Sequence, residues 1–307
     1  MPIVKDFKVD FFLAGFPKCG TTSLAAYLAE HPNICFSTIK EPFFFCSDFP
    51  KRRVIKEWAD YRSLFVRAEQ TEVLGEGTVC YIYSEAALSN IAAHNPRAKL
   101  IVVVRNPVDL IYSLHSNQLR ALDENATSME EAWRLQDSRK NGRRIPRSCR
   151  EPFFLQYKEV ASQGKYLRSA LRHFSREQIL VLRFKDLREN PLEIFSKVLD
   201  FLEIETGFIP TIGVHNPNMA FKQGLSGLAG RGLMYFARSP RLLDLKHRMG
   251  VRGLGMEKVV KKQFMTKSER PAVEETFRKE LYDEMKEDID LLRKISFLDL
   301  DHWHHSL

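Results

Sequence analysis

No C-x-x-C pair occurs in this chain, and its five cysteines (Cys19, Cys35, Cys46, Cys80 and Cys149) are an odd number. That pattern argues against a disulfide framework and favours a reduced compartment. No stretch approaches the ~20 apolar residues that a membrane-spanning helix needs, which excludes a span. The first apolar run, Val9 to Phe16, is short and leads straight into a glycine loop, so no secretory leader is read and a cytoplasmic protein is expected. Internal repeats, low-complexity tracts and a convincing linker are also lacking, which favours one domain over residues 1–307. His302, His304 and His305 crowd the end without neighbours that complete a ligand set. They read as a polar terminus, and no metal is expected.

The composition of the rest is that of a soluble globular protein, 44% hydrophobic and 28% charged over 307 residues, long enough to bury a substantial core. The formal net charge of +8 suits an anionic ligand, an acidic acceptor or a nucleic acid. Such charge ranks ligand classes without selecting one, because most of it is ordinarily a solvated surface. No recognisable nucleic-acid-binding motif accompanies it.

One loop says more than the composition. Gly15-Phe16-Pro17-Lys18-Cys19-Gly20-Thr21-Thr22-Ser23-Leu24 keeps the glycine spacing of a phosphate loop, G-x-x-x-x-G-K-[ST]. Thr21 stands where that motif has its lysine, and the cation has moved upstream to Lys18. Backbone N–H groups and the positive end of a following helix can still wrap an anion. The usual grip on a magnesium-bound triphosphate is lost. The chemistry points to a nucleotide-like donor bearing a 5′ phosphate rather than to ATP hydrolysis. The bland alternative is a glycine turn joining a strand to a helix.

The order of elements supports the phosphate-loop context. Val9 to Ala14 reads as a buried strand and Thr21 to Glu30 as a helix. Ile34 to Ser37 reads as a second strand. Lys99 to Val104 is a continuous β-branched run, as in a central parallel strand, and Pro107 suits the first turn of a helix reaching about Leu122. Ile179 to Arg183 is a further strand, followed by a helix from Pro191 to Leu202. Alternating strands and helices predict an α/β fold with a central parallel sheet flanked by helices. Asp123 to Glu151, rich in arginine, reads as a surface segment or a lid. Residues 213–255 combine glycines with cations, as a loop over phosphate or an irregular basic connection. An amphipathic helix is expected from Pro271 to about Leu292.

Four groups of residues are candidates for chemistry. Lys18, with Cys19, Gly20, Thr21, Thr22 and Ser23, forms the first anion pocket, where Lys18 can also neutralise charge on a leaving oxygen. Arg105 ends the Val102–Val104 strand, and Ser113 follows eight residues later, two turns into the next helix. In a wound parallel sheet ligands bind beyond the carboxyl ends of the strands, so Arg105 is expected beside the loop as a second phosphate site. Lys40-Glu41-Pro42 offers a carboxylate as general base, or only a surface ion pair in a turn. Phe43, Phe44 and Phe45 then form core packing or an acceptor wall. Glu76, with Thr78 and Tyr81, either lines the acceptor side or orients a neighbour.

The combination of Phe16 through Leu24, Lys40 through Phe45, and Val103 through Asp109 on to Ser113 resembles the sulfotransferases that use 3′-phosphoadenosine 5′-phosphosulfate (PAPS). The resemblance continues through Phe184-Lys185-Asp186-Leu187, Glu189-Asn190-Pro191 and Val198 to Leu202, and closes at Asp299-Leu300-Asp301-His302-Trp303. It is greatest to the bacterial and heparan-sulfate-type branches. It implies a fold like that of the P-loop nucleotide triphosphatases, transfer of a sulfuryl group to an acceptor hydroxyl of a small molecule or carbohydrate, and adenosine 3′,5′-bisphosphate (PAP) as product. Lys18 and Gly20 to Ser23 would hold the 5′-phosphosulfate, Arg105 and Ser113 the 3′ phosphate, Phe184 the adenine, and Glu41 would be the base. Arg231 is a candidate from the basic loop that closes over the nucleotide. Phe43 stands where many members have histidine, Gly77 where a lysine is common, and Phe184 where others carry tyrosine. A nucleotide kinase or NTPase with a deviant loop, and a non-catalytic module binding polyanions, are the alternative functions.

Overall fold

Strand formation follows the apolar runs, which a parallel sheet buries on both faces. The computed structural model describes residues 7–53, 55–67, 71, 73–213, 219–222, 224–237, 256–267 and 274–306. Five strands, β1 (Phe11–Gly15), β2 (Ile34–Phe36), β3 (Val73–Glu76), β4 (Lys99–Val104) and β5 (Ile179–Arg183), form one sheet in the order β2-β3-β1-β4-β5. Every pairing in it is parallel. The α/β architecture predicted from the alternation of elements is the one observed.

The register aligns the strand ends. Phe12 sits opposite both Glu76 and Leu100, and Val104 sits opposite Arg183. From β1 the chain passes to β2 and β3 on one side, then crosses to β4 and β5 on the other. The crevice between the carboxyl ends of β1 and β4 is therefore the topological switch point, where such sheets bind ligands.

Strand β3 was not legible in the sequence, because Val73-Leu74-Gly75-Glu76 is short and carries a glycine and a carboxylate. Packing explains the glycine. A Cβ at Gly75 would lie 2.1 Å from Cζ of Phe11 on the adjoining strand.

Helix α1 (Thr21–Glu30) follows β1, and Pro107–Arg120 follows β4. The Asn106 carboxamide starts the latter helix by accepting the Val108 N–H at 3.0 Å. The Pro191–Leu202 helix buries Ile194, Phe195, Val198, Leu199 and Leu202, one face at helical spacing. The long helix Glu275–Ser296 buries Phe277, Leu281, Met285, Ile289 and Leu292. Its Asp288 accepts the N–H groups of Gly164 and Lys165 at 2.9 and 2.8 Å, at the start of the helix Gln163–Ala170. The expected beginning of the long helix at Pro271 lies outside the described residues.

The chain gathers into two compact units, Met1–Ile111 with Lys158–Asn216 and Glu275–Leu307, and Tyr112–Tyr157 with Pro217–Glu274. The first contains the parallel sheet. The second has its own small core of Met234, Val260 and Met265, against which Leu122, Phe221, Leu233 and Phe264 pack.

Two sequence readings change in the second unit. Asp123 to Glu151 is not merely surface: Arg139 is fully buried and donates two hydrogen bonds, 2.6 and 2.5 Å, to the Glu124 carboxylate. Tyr157 donates a third to Glu124, at 2.8 Å. The basic, glycine-rich stretch, as far as it is described, contains a helix, Gly224–Ala237. Gly230 serves close packing, since a Cβ there would meet Cβ of Phe264 at 2.5 Å, whereas a Cβ at Gly224 or Gly232 would meet nothing within 4 Å. Residues 214–218 and 238–255 lie outside the described residues.

The Gly75→Ala substitution is expected to lower the unfolding free energy by about 1–3 kcal/mol through overpacking. Urea titration checks this, and an unchanged midpoint would show that the Phe11 ring moves aside without cost.

Candidate active site

Strand β1 ends at Gly15, and the next five residues turn the chain into α1. The Phe16 N–H donates to the Val103 carbonyl at 3.0 Å, holding the loop against the end of β4. Gly20 precedes the helix with φ 77°, a left-handed conformation that glycine adopts without strain. A Cβ there would also stand 3.0 Å from Cε2 of Phe184 and crowd that ring, so the backbone favours glycine and the space is tight. Lys18 is likewise left-handed, at φ 64°. Such conformations in non-glycine residues gather at ligand-binding sites.

Helix α1 has no acidic residue in its first turn. The Ser23 and Leu24 N–H groups both turn onto the Gly20 carbonyl, at 3.0 and 3.2 Å, and the helix dipole adds positive potential at this end. Thr22 and Ser23 are partly exposed at this end, whereas Thr21 is buried. Cys19 points the other way. Its side chain is fully buried, its thiol donates to the Pro17 carbonyl at 3.4 Å, and burial pushes its pKa up to about 12. What Cys19 can offer a ligand is its backbone.

Arg105 lies where the sequence places it. Its Nη1 donates to the Lys18 carbonyl at 3.0 Å, and its guanidinium carbon stands 4.7 Å above the Phe184 ring centroid. The backbone beneath is clamped by Gln163, whose Oε1 accepts the Arg105 N–H at 2.9 Å and whose Nε2 donates to the Arg105 carbonyl at 2.6 Å. Asp109, one helical turn on, approaches the guanidinium at 4.0 Å and is itself 3.5 Å from Arg278. The Asn106 carboxamide also donates to the Trp303 carbonyl at 3.3 Å, tying the carboxyl-terminal motif to the end of β4.

Arg105, Phe184 and Trp303 line a cavity of about 250 Å³ together with Arg183, Lys185 and Arg188. Four cations in one cavity wall make it a place for an anion, the first potential this site offers beyond the loop itself. Lys18, Gly20, Arg105 and Phe184 are thus brought together. Ser113 is buried on the Pro107–Arg120 helix and is not among the residues lining this cavity. Arg231 belongs to the second unit, where its guanidinium sits 5.7 Å from the Phe221 ring centroid. Among the described residues no cluster of histidine, cysteine and carboxylate could hold a metal ion, and no helix is long and apolar enough to cross a membrane.

On the other side of β1, the ends of β2 and β3 present Glu41 and Glu76. Glu41 is held by a hydrogen bond from its N–H to the Gly77 carbonyl, 2.9 Å, and its φ of 64° is left-handed. Lys40 Nζ lies 3.3 Å from its carboxylate, and both side chains are partly exposed. The ion pair foreseen as the plain reading is therefore present, on a backbone that an ordinary surface turn does not need. Phe43 and Phe45 are buried, and Phe44 stacks on Tyr61 at 4.2 Å, so this run is packing.

Glu76 is wholly buried. Tyr61 and Tyr81 donate to its Oε2 at 2.9 and 2.8 Å, and Thr78 donates to Oε1 at 2.5 Å. Burial raises its pKa from 4.5 to about 7, against the pull of those three hydrogen bonds and of Lys40. Neither Gln163 nor Tyr61 carries a signal in the sequence. Each is an ordinary residue whose role exists only once distant segments meet.

A protein-family profile described as Sulfotransferase domain matches residues 8–212. Among curated proteins the chain is 29% identical over 223 residues to a bifunctional heparan sulfate N-deacetylase/N-sulfotransferase 1 of Caenorhabditis briggsae, covering 67% of this chain and 25% of that protein. It is 27% identical over 247 residues to carbohydrate sulfotransferase 15 of Rattus norvegicus, covering 63% and 43% respectively. The chain thus spans less than half the length of these relatives. A crystal structure of a sulfotransferase from Alicyclobacillus acidocaldarius superposes with a TM-score of 0.70 at 21% identity, over 97% of this chain and 99% of that one. That likeness is one of fold.

The raised pKa of Glu76 has a signed consequence. Between about pH 4.5 and 7 the folded chain keeps a proton that the unfolded chain has lost. Stability relative to Glu76→Gln therefore falls as pH rises through that window, by roughly 3 kcal/mol, and then levels. Urea unfolding of both proteins at pH 5 and pH 8 checks it, and a constant difference would refute the shifted, buried carboxyl.

Proposed function

The chain belongs to the sulfotransferase domain family, and from that membership we propose that it transfers a sulfuryl group from PAPS to an acceptor hydroxyl. The observation that carries the reading is the 3.0 Å hydrogen bond from Arg105 to the Lys18 carbonyl, which puts two cationic residues side by side at the switch point of the sheet. A nucleotide phosphorylated at two positions needs two such pockets. The residues present fit it: a loop that turns through a left-handed Gly20, a helix start without acidic residues, and a guanidinium at the end of β4. When bound, the donor supplies the sulfuryl group and a phosphate leaving group.

Lys18 and the N–H groups from Gly20 to Ser23 hold the 5′ side of the donor, and Lys18 neutralises the charge that grows on the departing oxygen. Arg105, with Ser113 two turns into the helix that follows it, would hold the 3′ phosphate. Phe184 would face the adenine. Glu41 accepts the proton of the attacking hydroxyl. A sulfuryl group carries less charge than a phosphoryl group, so the magnesium-binding lysine–hydroxyl pair of nucleotide triphosphatases is dispensable. Thr21 at the usual lysine position accords with this. The names of the relatives, a heparan sulfate and a carbohydrate sulfotransferase, support a carbohydrate acceptor.

Incubation with PAPS and candidate saccharides is expected to release PAP. Lys18→Ala should abolish turnover, and Glu41→Gln should lower kcat by ~10²-fold. Arg105→Ala should chiefly raise the KM for PAPS. Turnover of Mg-ATP with none of PAPS would overturn the reading, and a wild-type rate in Glu41→Gln would reassign the base.

A further inference from the structure

We propose that Glu76 is a positioning residue for catalysis: its carboxylate, through three hydroxyl side chains, fixes the loop that carries Glu41. The proposal rests on the reading of Glu41 as the base. Each of three consecutive loop residues is reached from Glu76 through a different intermediary. Thr78 donates to Glu76 Oε1 at 2.5 Å, and its Oγ1 accepts the Phe43 N–H at 3.4 Å. Tyr81 donates to Oε2 at 2.8 Å, and its phenolic oxygen accepts the Phe45 N–H at 3.4 Å. Tyr61 donates to Oε2 at 2.9 Å, and its ring stacks on Phe44 with an interplanar angle of 12°.

The chemistry of these groups makes the carboxylate more than a packing choice. A hydroxyl has one proton to give. With Glu76 ionised, above about pH 7, the protons of Thr78 and Tyr81 are both directed at it, and their oxygens present only lone pairs to the Phe43 and Phe45 N–H groups. A glutamine in its place has the same shape but turns an NH₂ toward one side. Either the two tyrosine protons or the Thr78 proton then has no acceptor, and the order of the relay is lost. An apolar residue would remove the relay while filling the space, and such replacements of buried ionic groups are often neutral for stability. Keeping a carboxylate at this depth therefore points to geometry.

The loop needs such holding. Glu41 and Phe43 both have left-handed backbones, φ 64° and 56°, which persist only where the surroundings over-determine them. Glu41 itself is fastened by its N–H to the carbonyl of Gly77, the residue next to Glu76. Movement of Glu76 or of its relay therefore reaches the base from both sides. Lys40 and Cys46 are the other titratable groups near this carboxylate, beside the two tyrosines.

A double-mutant cycle on the full chain, read as kcat and KM for PAPS together with thermal midpoints, separates positioning from simple support. Glu76→Gln is expected to lower kcat about 10- to 100-fold while the KM for PAPS stays within about twofold, since the donor pocket lies across β1. In a Glu41→Gln background the same change should alter kcat less than about twofold, because no base remains to be placed. An equal loss in both backgrounds would overturn the proposal, as would an undiminished kcat in Glu76→Gln alone. Wild-type kcat in Glu41→Gln alone would instead overturn the assignment of the base. If Glu76→Gln does not fold, Thr78→Val breaks the link to Phe43 with the carboxylate retained, and the same non-additivity with Glu41→Gln is required of it.

Discussion

The hydrogen bond between the Arg105 guanidinium and the Lys18 carbonyl joins the ends of two central strands, and the charged corner of the site depends on it. It exists because β1 and β4 are adjacent and parallel, with Gly15 opposite Val102, so both chains leave the sheet at the same edge. Gln163 fixes the arginine from below by pairing with both its N–H and its carbonyl. Phe184 supports it from the side and lies close over the left-handed Gly20. Four segments far apart in sequence thereby define one charged corner without any metal ligand among them.

The far side of β1, around Glu76, is built on the opposite principle. There a carboxylate is taken out of water altogether and surrounded by hydroxyls, and its raised pKa shows that the surroundings compensate only part of the desolvation. Left-handed backbones at Lys18, Glu41 and Phe43 add local strain at both margins of the site. Stability sacrificed near a reacting centre is a common pattern in enzymes, because geometry useful for chemistry is seldom the most stable arrangement. The strands between the two margins show no such tension: β1 and the inner part of β4 are uniformly buried and apolar.

Much of this was legible in the chain because the decisive signals are local. The glycine spacing of residues 15–20, the β-branched run of β4 and the Pro107 that follows it fix strand, loop and helix within a few residues each. Parallel topology then brings Arg105 to the loop without further information. What the sequence concealed depends on long-range contact. Strand β3 hid its period behind Gly75, which only the Phe11 ring explains. Arg139 looked like one of several surface arginines until Glu124 enclosed it. The glycines from Gly224 onward suggested a loop, because the helix they form is justified by Phe264 rather than by propensity. Ser113 was placed two turns into its helix by counting alone, and the structure agrees on that position.

The distribution of the five thiols has a practical side. Cys19, Cys35, Cys46 and Cys80 are buried, while Cys149 is partly accessible and sits in the unit that lacks the parallel sheet. Brief treatment with a maleimide dye would mark that single position and leave the phosphate loop chemically intact. The native chain thus carries an attachment point for fluorescence measurements, with no need to engineer one.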